Sequence, residues 1–449
     1  MEQSLEFVED TYDPDRYGAL ELMRRARTDQ LSMYTPVFFE RNMLAQRYMF
    51  LSTYFLNKPE YIEHVLLGNH RNYLKSPLVR QVLRPTLGNG LVTSEGDFWR
   101  RQRRIVAPAF HHQRIANLVE VMAACAATTV ERWQGQHVEF DVLPEMMGLT
   151  LEVIARTMFS TDVTPEIPRV RQLMDVIIRD TRVSAVDLLG LPEWFPRYRK
   201  LALARAIVEL KALFSRIIAL RRADGADRGD LLSMLMARDP ETGEGMSDAQ
   251  LKDEIATIFG AGHETTANAL SWVWYLLARN PEAESLLHQE VDRVLGGRVP
   301  CYADLAELKY TRMVFEEAMR LYPPAHSIAR TAVAEDRIGG VRVPAGANVT
   351  ISPYVTHRSA RYWPEPERFD PERFAPEAVA RRHRFAYLPF GGGPRICIGA
   401  SFAISEAQVI IASVAQRFRL HLDPAHPVIP IGYVTLRAKD GIRVRLERR

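Results

Sequence analysis

The chain has 449 residues, of which 47% are hydrophobic and 25% are charged, and its formal net charge is +3. This composition is ordinary for a globular protein, and so small a net charge gives no indication of nucleic-acid binding. The three scattered cysteines (Cys125, Cys301 and Cys397) exclude a disulfide framework and favour a reducing compartment, so we expect a cytoplasmic protein.

The amino terminus is polar and acidic, and no apolar stretch there approaches the ~20 residues of a membrane span, so we expect no membrane anchor. No linker, low-complexity tract or repeat divides the chain. We therefore expect one domain over residues 1–449. Its helical bulk is expected at about 96–322, and its β-rich parts at about 30–60, 325–360 and 430–449.

In chain order, the first predicted element is a strand at Leu51–Leu56. The strongest helix prediction begins at Ser247, which forms a capping box with Gln250, and ends before Pro281. A helix of about 32 residues is roughly 48 Å long, so we expect this apolar one to cross the middle of the molecule. Other helical patterns lie at about 98–110, 113–133, 143–159, 170–179 and 203–222.

Beyond Pro324 the pattern changes from helices to strands. The pair Gly339-Gly340 predicts a β-hairpin within 337–344, and 348–352 reads as a further strand. Near the end, 433–436 and 442–446 predict a final hairpin across Lys439–Gly441.

The most informative segment is Phe390–Ala400, FGGGPRICIGA, a glycine-rich turn that delivers Cys397 to the start of a predicted helix. The positive end of a helix favours a thiolate, and glycines let a flat ligand approach the backbone. Arg395 can pair with an anionic group on such a ligand. A thiolate held in this way is a good axial ligand for haem iron.

A second unusual segment, Ala261–Thr266, lies within the long predicted helix and reads AGHETT. Burying Glu264 and Thr265 is costly unless their polar groups are satisfied. A small residue followed by an acid and a hydroxyl can open a niche over a flat cofactor in which protons are relayed. The alternative is a local helix kink with a satisfied polar pair.

These segments resemble the cytochrome P-450 family of haem-thiolate monooxygenases. The cysteine turn matches the family's signature F-G-x-G-x-R-x-C-x-G at every defined position, and Ala261–Thr266 is similar to its oxygen-activation sequence. By motif the resemblance spans roughly residues 90–449. It implies the cytochrome P-450 fold, mainly α with a smaller β-rich part, and a haem b whose iron is ligated by Cys397.

The resemblance also implies roles for individual residues. Thr265 would hold dioxygen and its water, and Glu264 would feed protons inward. Glu317 and Arg320, which alone would be an ordinary helix pair, resemble the family's E-x-x-R motif. With Arg373 from Pro371–Phe374 they would lock the segment before the cysteine turn. Further cofactor contacts are expected from Trp99, Arg103, Arg330, Arg395, Phe390, Gly391 and Gly399. The substrate pocket is expected to include Ala261, Ala325, His326, Ile328, Tyr433 and Val434, although His326 can instead bond a backbone carbonyl.

The implied reaction reduces dioxygen with two electrons and two protons and inserts one oxygen atom into a C–H bond of a hydrophobic small molecule: a fatty acid, terpenoid or aromatic compound. Because no reductase follows the last predicted strand, we expect the electrons to come from a ferredoxin and its NAD(P)H-dependent ferredoxin reductase. We also expect a monomer. Docking is expected near Arg100, Arg101 and Arg104. Two alternatives stay open. A peroxide-driven peroxygenase or isomerase would generally lack the acid–threonine pair, and a non-catalytic haem-binding sensor would need a signalling segment.

Overall fold

A computed structural model of the chain describes residues 17–48, 51–134, 139–160, 167–181, 201–237, 243 and 245–449. In these ranges helices predominate, and the strands form four small sheets, so the fold is mainly α with a smaller β-rich part, as predicted. The polar amino-terminal residues lie outside the described part of the chain. Within that part, no helix combines the length and the apolar character needed to cross a membrane.

The helices and strands form in the following order along the chain. The helices are α1 (Ala19–Thr28), α2 (Pro36–Glu40), α3 (Pro59–Glu63), α4 (Pro77–Leu87), α5 (Gly96–Val106), α6 (His112–Gln134), α7 (Val142–Phe159), α8 (Ile167–Asp180), α9 (Leu201–Asp224), α10 (Leu231–Met236), α11 (Asp248–Arg279), α12 (Pro281–Leu295), α13 (Lys309–Leu321), α14 (Pro353–Thr356), α15 (Pro376–Arg381) and α16 (Ala400–Ala415). The strands are β1 (Met43–Tyr48), β2 (Leu51–Leu56), β3 (Tyr73–Lys75), β4 (Glu139–Asp141), β5 (Ile328–Ala332), β6 (Asp336–Ile338), β7 (Val341–Val343), β8 (Asn348–Ile351), β9 (Phe418–Leu422), β10 (Pro430–Gly432), β11 (Leu436–Ala438) and β12 (Arg443–Arg448). The helices α5 to α9 occupy the positions predicted for them to within a few residues.

The long helix α11 begins and ends as predicted. The side chain of Ser247 accepts the N–H of Gln250 at 3.3 Å, and the Gln250 side chain accepts the N–H of Ser247 at 2.8 Å, which completes the capping box. Most of its 32 residues are buried, because α7, α9, α13 and α16 all pack against it. The helix therefore runs through the interior of the molecule.

The largest sheet has five strands in the order β1-β2-β8-β5-β3, parallel only between β2 and β8. The predicted strand at Leu51–Leu56 is β2, and the predicted Gly-Gly hairpin is formed by β6 and β7. The short strand β3 was not predicted. It pairs antiparallel with β5 and places Lys75 opposite Arg330.

The predicted final hairpin is wrong. β11 pairs with β10 instead, and 433–435 form the bend between those two strands. β12 pairs with β9 on one side and with β4 on the other. The predicted turn at Gly441 does form, since the φ of Gly441 is +81°. It is stabilised by Asp141, whose carboxylate accepts the N–H of Ile442 at 2.9 Å. The turn chemistry is local, whereas one partner of β12, the strand β4, lies in a distant part of the chain.

Candidate active site

Cys397 lies at the end of a tight turn that requires glycine. Gly391 and Gly393 have φ values of +74° and +65°. A Cβ atom on Gly393 would lie 1.8 Å from the carbonyl oxygen of Leu66, so no other residue fits there. The N–H of Cys397 donates to the Phe390 carbonyl at 2.8 Å and closes the turn just before α16. The glycine turn thus fixes the position of the Cys397 thiol.

The Cys397 side chain is exposed, yet its surroundings are those of a buried group. Burial raises the pKa of the thiol, and the N–H of Gly399 and the guanidinium of Arg103 only partly oppose that rise. A thiol that is both accessible and surrounded by protein faces an internal cavity rather than bulk water. The helix terminus alone therefore does not make a thiolate here, whereas coordination to a metal deprotonates a thiol outright.

Four basic side chains lie close to one another, and one of them, Arg103, interacts with this thiol. They are Lys75, Arg103, Arg330 and Arg395. Lys75 and Arg330 face each other across β3 and β5. The Arg395 guanidinium lies 3.8 Å from the centre of the Trp99 ring, and that of Arg103 lies 5.8 Å from it. We call these four side chains the basic cluster. Lys75 is the member that sequence reasoning missed, because a lone lysine in an unpredicted strand carries no signal.

Glu95 is the carboxylate that the described residues place against the basic cluster. It accepts the N–H of Lys75 at 2.9 Å and a hydrogen bond from the Arg395 guanidinium, which also donates to the Ser94 carbonyl at 3.0 Å. Burial and repulsion from neighbouring arginines lower the pKa of Lys75 to about 7. Burial lowers the pKa of Arg395 to about 10, and it also lowers the pKa of Arg103 and of Arg330.

The residues of this site fit haem b. Three desolvated arginines and a lysine against one carboxylate leave an excess of positive charge, which a ligand with two further carboxylates would balance. Haem b carries two propionates, and the glycine turn leaves room for its flat ring beside a single accessible thiol. In the described ranges no group of three or more His, Cys, Asp or Glu side chains could hold a metal ion by itself, so a porphyrin would supply the remaining ligands.

The AGHETT segment is a part of the buried helix α11 in which some residues remain accessible. Ala261 is exposed and Thr265 is half-buried, although the helix around them is largely buried, so their accessible surface faces a cavity. The Thr265 hydroxyl donates to the Ala261 carbonyl at 2.6 Å. His263 points elsewhere and is buried, and its carbonyl accepts the hydroxyl of Thr150 on α7 at 3.0 Å.

Glu264 is held by residues that sequence reasoning missed. The Thr435 hydroxyl donates to the Glu264 carboxylate, and the Asn268 amide lies 3.4 Å from the same hydroxyl oxygen. Burial raises the pKa of Glu264, while Thr435 and the Arg437 guanidinium oppose the rise. A carboxyl group in this state can hold or pass a proton. No motif marked Thr435, which lies 171 positions further along the chain.

The residues predicted for the substrate pocket divide into two sets. Ala325 and Val434 are exposed. A Cβ atom added to Gly391 would lie 3.9 Å from the side chain of Ile328, so Ile328 borders the cysteine turn. His326, in contrast, is buried, and its Nε2 lies 2.8 Å from the Tyr433 carbonyl oxygen. This is the backbone bond considered for His326 as the alternative to a substrate contact.

Behind the cysteine turn, Glu317 and Arg320 form a fully buried ion pair. Two guanidinium nitrogens of Arg320 donate to the two Glu317 oxygens at 2.6 and 2.8 Å, and Nε of Arg373 lies 3.5 Å from Oε1. Arg320 also donates to the carbonyls of Pro366 and Arg368 at 2.7 and 3.0 Å. The structure thus brings the second P-E-R-F segment to the pair.

A histidine connects this ion pair to the cysteine turn. Arg320 donates to the His357 carbonyl at 2.8 Å, and Nδ1 of His357 lies 3.2 Å from the Arg320 carbonyl oxygen. Nε2 accepts the N–H of Leu388 at 2.9 Å, and the Leu388 carbonyl accepts the N–H of Gly391. Burial holds the pKa of His357 well below its usual value, so the ring is neutral and makes both bonds.

Comparison with known proteins agrees with this geometry. The family model described as Cytochrome P450 matches residues 30–440. "Cyclooctatin synthase" from Streptomyces melanosporofaciens is 43% identical over 383 residues, which cover 85% of this chain and 83% of that protein. "Cyclooctat-9-en-7-ol 5-monooxygenase" from the same organism is 37% identical, covering 82% and 80%. The crystal structure of the cytochrome P450DA heme domain superposes with a TM-score of 0.82 at 26% identity, covering 96% of this chain and 93% of that one.

The buried ion pair generates a prediction about stability. Glu317→Gln leaves Arg320 buried without its counter-charge, so the free energy of unfolding should fall by about 3–5 kcal/mol in urea titrations. The matched control is Glu365→Gln, which removes the partner of Arg368 in a pair whose side chains are 62% and 71% exposed. That change should cost less than about 1 kcal/mol. Equal losses in the two variants would contradict the assignment.

Proposed function

The chain belongs to the cytochrome P450 family, and on that premise we propose that it hydroxylates a cyclic terpenoid with electrons from a separate ferredoxin. Family membership makes it a haem-thiolate monooxygenase that binds haem b and acts on a hydrophobic substrate. The haem, when bound, supplies the activation of dioxygen that oxygen transfer to carbon requires. The side chains of this protein hold that group and deliver protons to the site.

The observation that carries the proposed site is one accessible thiol beside three desolvated arginines and a lysine. We assign Cys397 as the residue that would ligate the haem iron, and the basic cluster with Trp99 as the residues that would bind the two propionates. Phe390, Gly391 and Gly399 would contact the haem beside the thiol. This arrangement is supported by the charge balance, since two propionates neutralise positive charge that Glu95 alone leaves in excess.

On α11 we assign Glu264 and Thr265 to proton delivery. Glu264 is a buried carboxyl group whose pKa is raised by burial, so it can release a proton inward and be reprotonated from solvent. Thr265 presents its hydroxyl beside the accessible surface of Ala261, where it can hold a water or dioxygen. The presence of this pair favours a monooxygenase over a peroxide-driven peroxygenase.

The proposal of a cyclic terpenoid rests on the relatives and on the apolar side chains of the pocket. One relative is named for oxidation of cyclooctat-9-en-7-ol, a cyclic terpenoid alcohol. In this chain Ala261, Ile328 and Val434 offer methyl and aliphatic surface, and His326 is already bonded to a backbone carbonyl. Such a wall suits a rigid, bulky hydrocarbon body.

The proposed ferredoxin site is the exposed surface formed by α5 and the start of α6. Arg100, Arg104 and Arg114 are exposed there. The surface adjoins the cysteine turn through Phe110, which lies between α5 and α6. A Cβ atom added to Gly399 would lie 3.7 Å from the Phe110 ring. A positive patch beside the ligand loop suits an acidic electron donor, since complementary charge steers the encounter of the two proteins.

The ligand assignment predicts the behaviour of Cys397→Ala. Without the thiolate, the reduced carbon monoxide complex should lose its thiolate-type absorption, whereas the matched variant Cys301→Ala, which removes an exposed cysteine, should retain it. Difference spectra of the purified proteins measure this directly. Thiolate-type absorption in Cys397→Ala would overturn the assignment.

The substrate proposal predicts a ranking in spectral titrations. Cyclooctat-9-en-7-ol should displace water from the haem pocket and shift the iron towards high spin at micromolar concentrations. Palmitate and naphthalene, which represent the other two substrate classes, should bind on the order of tenfold more weakly or not at all. Tighter binding of palmitate or naphthalene would refute the terpenoid assignment.

The partner proposal predicts the effect of charge reversal. Arg104→Glu should raise the KM for an acidic ferredoxin on the order of tenfold at low salt, because steering by complementary charge is lost. The absorption spectrum should be unchanged. Arg337→Glu, an exposed arginine on the β6–β7 hairpin, is the matched control. An equal effect of the two variants would show that only net charge matters and would exclude this docking surface.

A further inference from the structure

The carboxylate of Glu264 is held from outside its own helix. Thr435, which is 8% exposed and lies in the bend between β10 and β11, donates its hydroxyl hydrogen to Glu264. The Asn268 amide, one turn further along α11, donates to the same hydroxyl oxygen at 3.4 Å. Among the described residues Thr435 is the hydrogen-bond donor to this carboxylate, so the orientation of Glu264 depends on the position of the bend.

The same bend forms part of the pocket wall. We call residues 433–437, which comprise that bend and the first two residues of β11, the Thr435 bend. Val434 is 40% exposed and stands immediately before the threonine. The bend is tied to the segment after Pro323 twice: His326 donates from Nε2 to the Tyr433 carbonyl at 2.8 Å, and the N–H of Leu436 donates to the Pro324 carbonyl at 2.9 Å. Because Val434 and Thr435 are consecutive residues of this bend, a molecule that displaces Val434 also displaces Thr435.

A positively charged side chain of the Thr435 bend, Arg437, also acts on Glu264. The Arg437 guanidinium attracts the carboxylate and also lies 5.0 Å from the centre of the Tyr433 ring. From its own helix, the neighbouring His263 is buried on the side of α7 and is neutral, because burial lowers its pKa to about 4. Loss of the Thr435 hydroxyl removes a bond to the charged form, which makes proton release from Glu264 harder.

We propose that Thr435 is a positioning residue that holds Glu264 in its proton-delivering orientation, and that the Thr435 bend makes this orientation depend on what occupies the substrate pocket. The inference rests on the proposed role of Glu264. It adds a device by which a bound substrate, through contact with Val434, acts on the proton-donating group.

The test compares Thr435→Val, which keeps the shape but removes the hydroxyl, with Thr435→Ser, which keeps the hydroxyl. A surrogate ferredoxin and reductase supply electrons, and cyclooctat-9-en-7-ol is the probe. Thr435→Val should lower the product formed per NADPH by roughly fivefold, release more hydrogen peroxide and increase the solvent isotope effect. Thr435→Ser should restore all three values to near those of the unmodified protein. Unchanged coupling in Thr435→Val would overturn the proposal, and Thr435→Ala repeats the test if the valine variant does not fold.

A second readout needs no turnover. The infrared band of the protonated Glu264 carboxyl, identified by its loss in Glu264→Gln, is followed against pH in the ferric holoprotein. Its midpoint should move to higher pH in Thr435→Val and stay in place in Thr435→Ser, because only the former loses the hydrogen bond to the charged form. A midpoint that is the same in both variants would refute the inference.

Two reference variants separate a failure of the proton relay from a failure of the Thr435 bend. Glu264→Gln and Thr265→Ala should both divert electrons to hydrogen peroxide while the haem spectrum stays intact. If neither does, the proposed proton relay fails, and the inference fails with it. If both do but Thr435→Val behaves as the unmodified protein, the relay stands and only the role of the Thr435 bend is excluded.

Discussion

Excess positive charge in a desolvated cavity is the constraint on which the site depends. Lys75, Arg330 and Arg395 repel one another, and Glu95 offsets only part of that repulsion. Cations in a low-dielectric site are stable only when they are paired. An anionic cofactor therefore completes the fold as well as the active site, because its binding free energy is added to the stability of the folded chain. The folded protein is therefore expected to be more stable with haem bound than without it.

The two parts of the proposed site are supported in different ways. Behind the cysteine turn, Arg320 is fixed by both Glu317 oxygens and by three backbone carbonyls, and His357 extends that network to Leu388. Displacing any part of it would leave buried charge unpaired, so the cysteine that we propose as the metal ligand is held rigidly. On α11, Glu264 depends instead on the hydroxyl of a bend. The rigid support suits ligation, and the support from the bend suits a response to substrate.

Local chemistry explains what could be predicted from the sequence. The Ser247 capping box, the Gly339-Gly340 hairpin and the turn before Cys397 depend on residues a few positions apart, and all three form as predicted. The pairing of β12 with β4 and the place of Lys75 opposite Arg330 depend on strand pairing over hundreds of residues. Thr435 belongs to this second class. No pattern near it in the chain refers to Glu264.

In the proposed mechanism one bend belongs to the pocket wall and also supports the proton donor, which affects how such an enzyme can change. A substitution at Val434 that reshapes the pocket also moves Thr435, and with it the carboxylate of Glu264. Substrate choice and coupling are then not independent properties of this chain. The Glu317–Arg320 network is built from other residues, so the proposed haem ligand stays fixed while selectivity and proton delivery vary together.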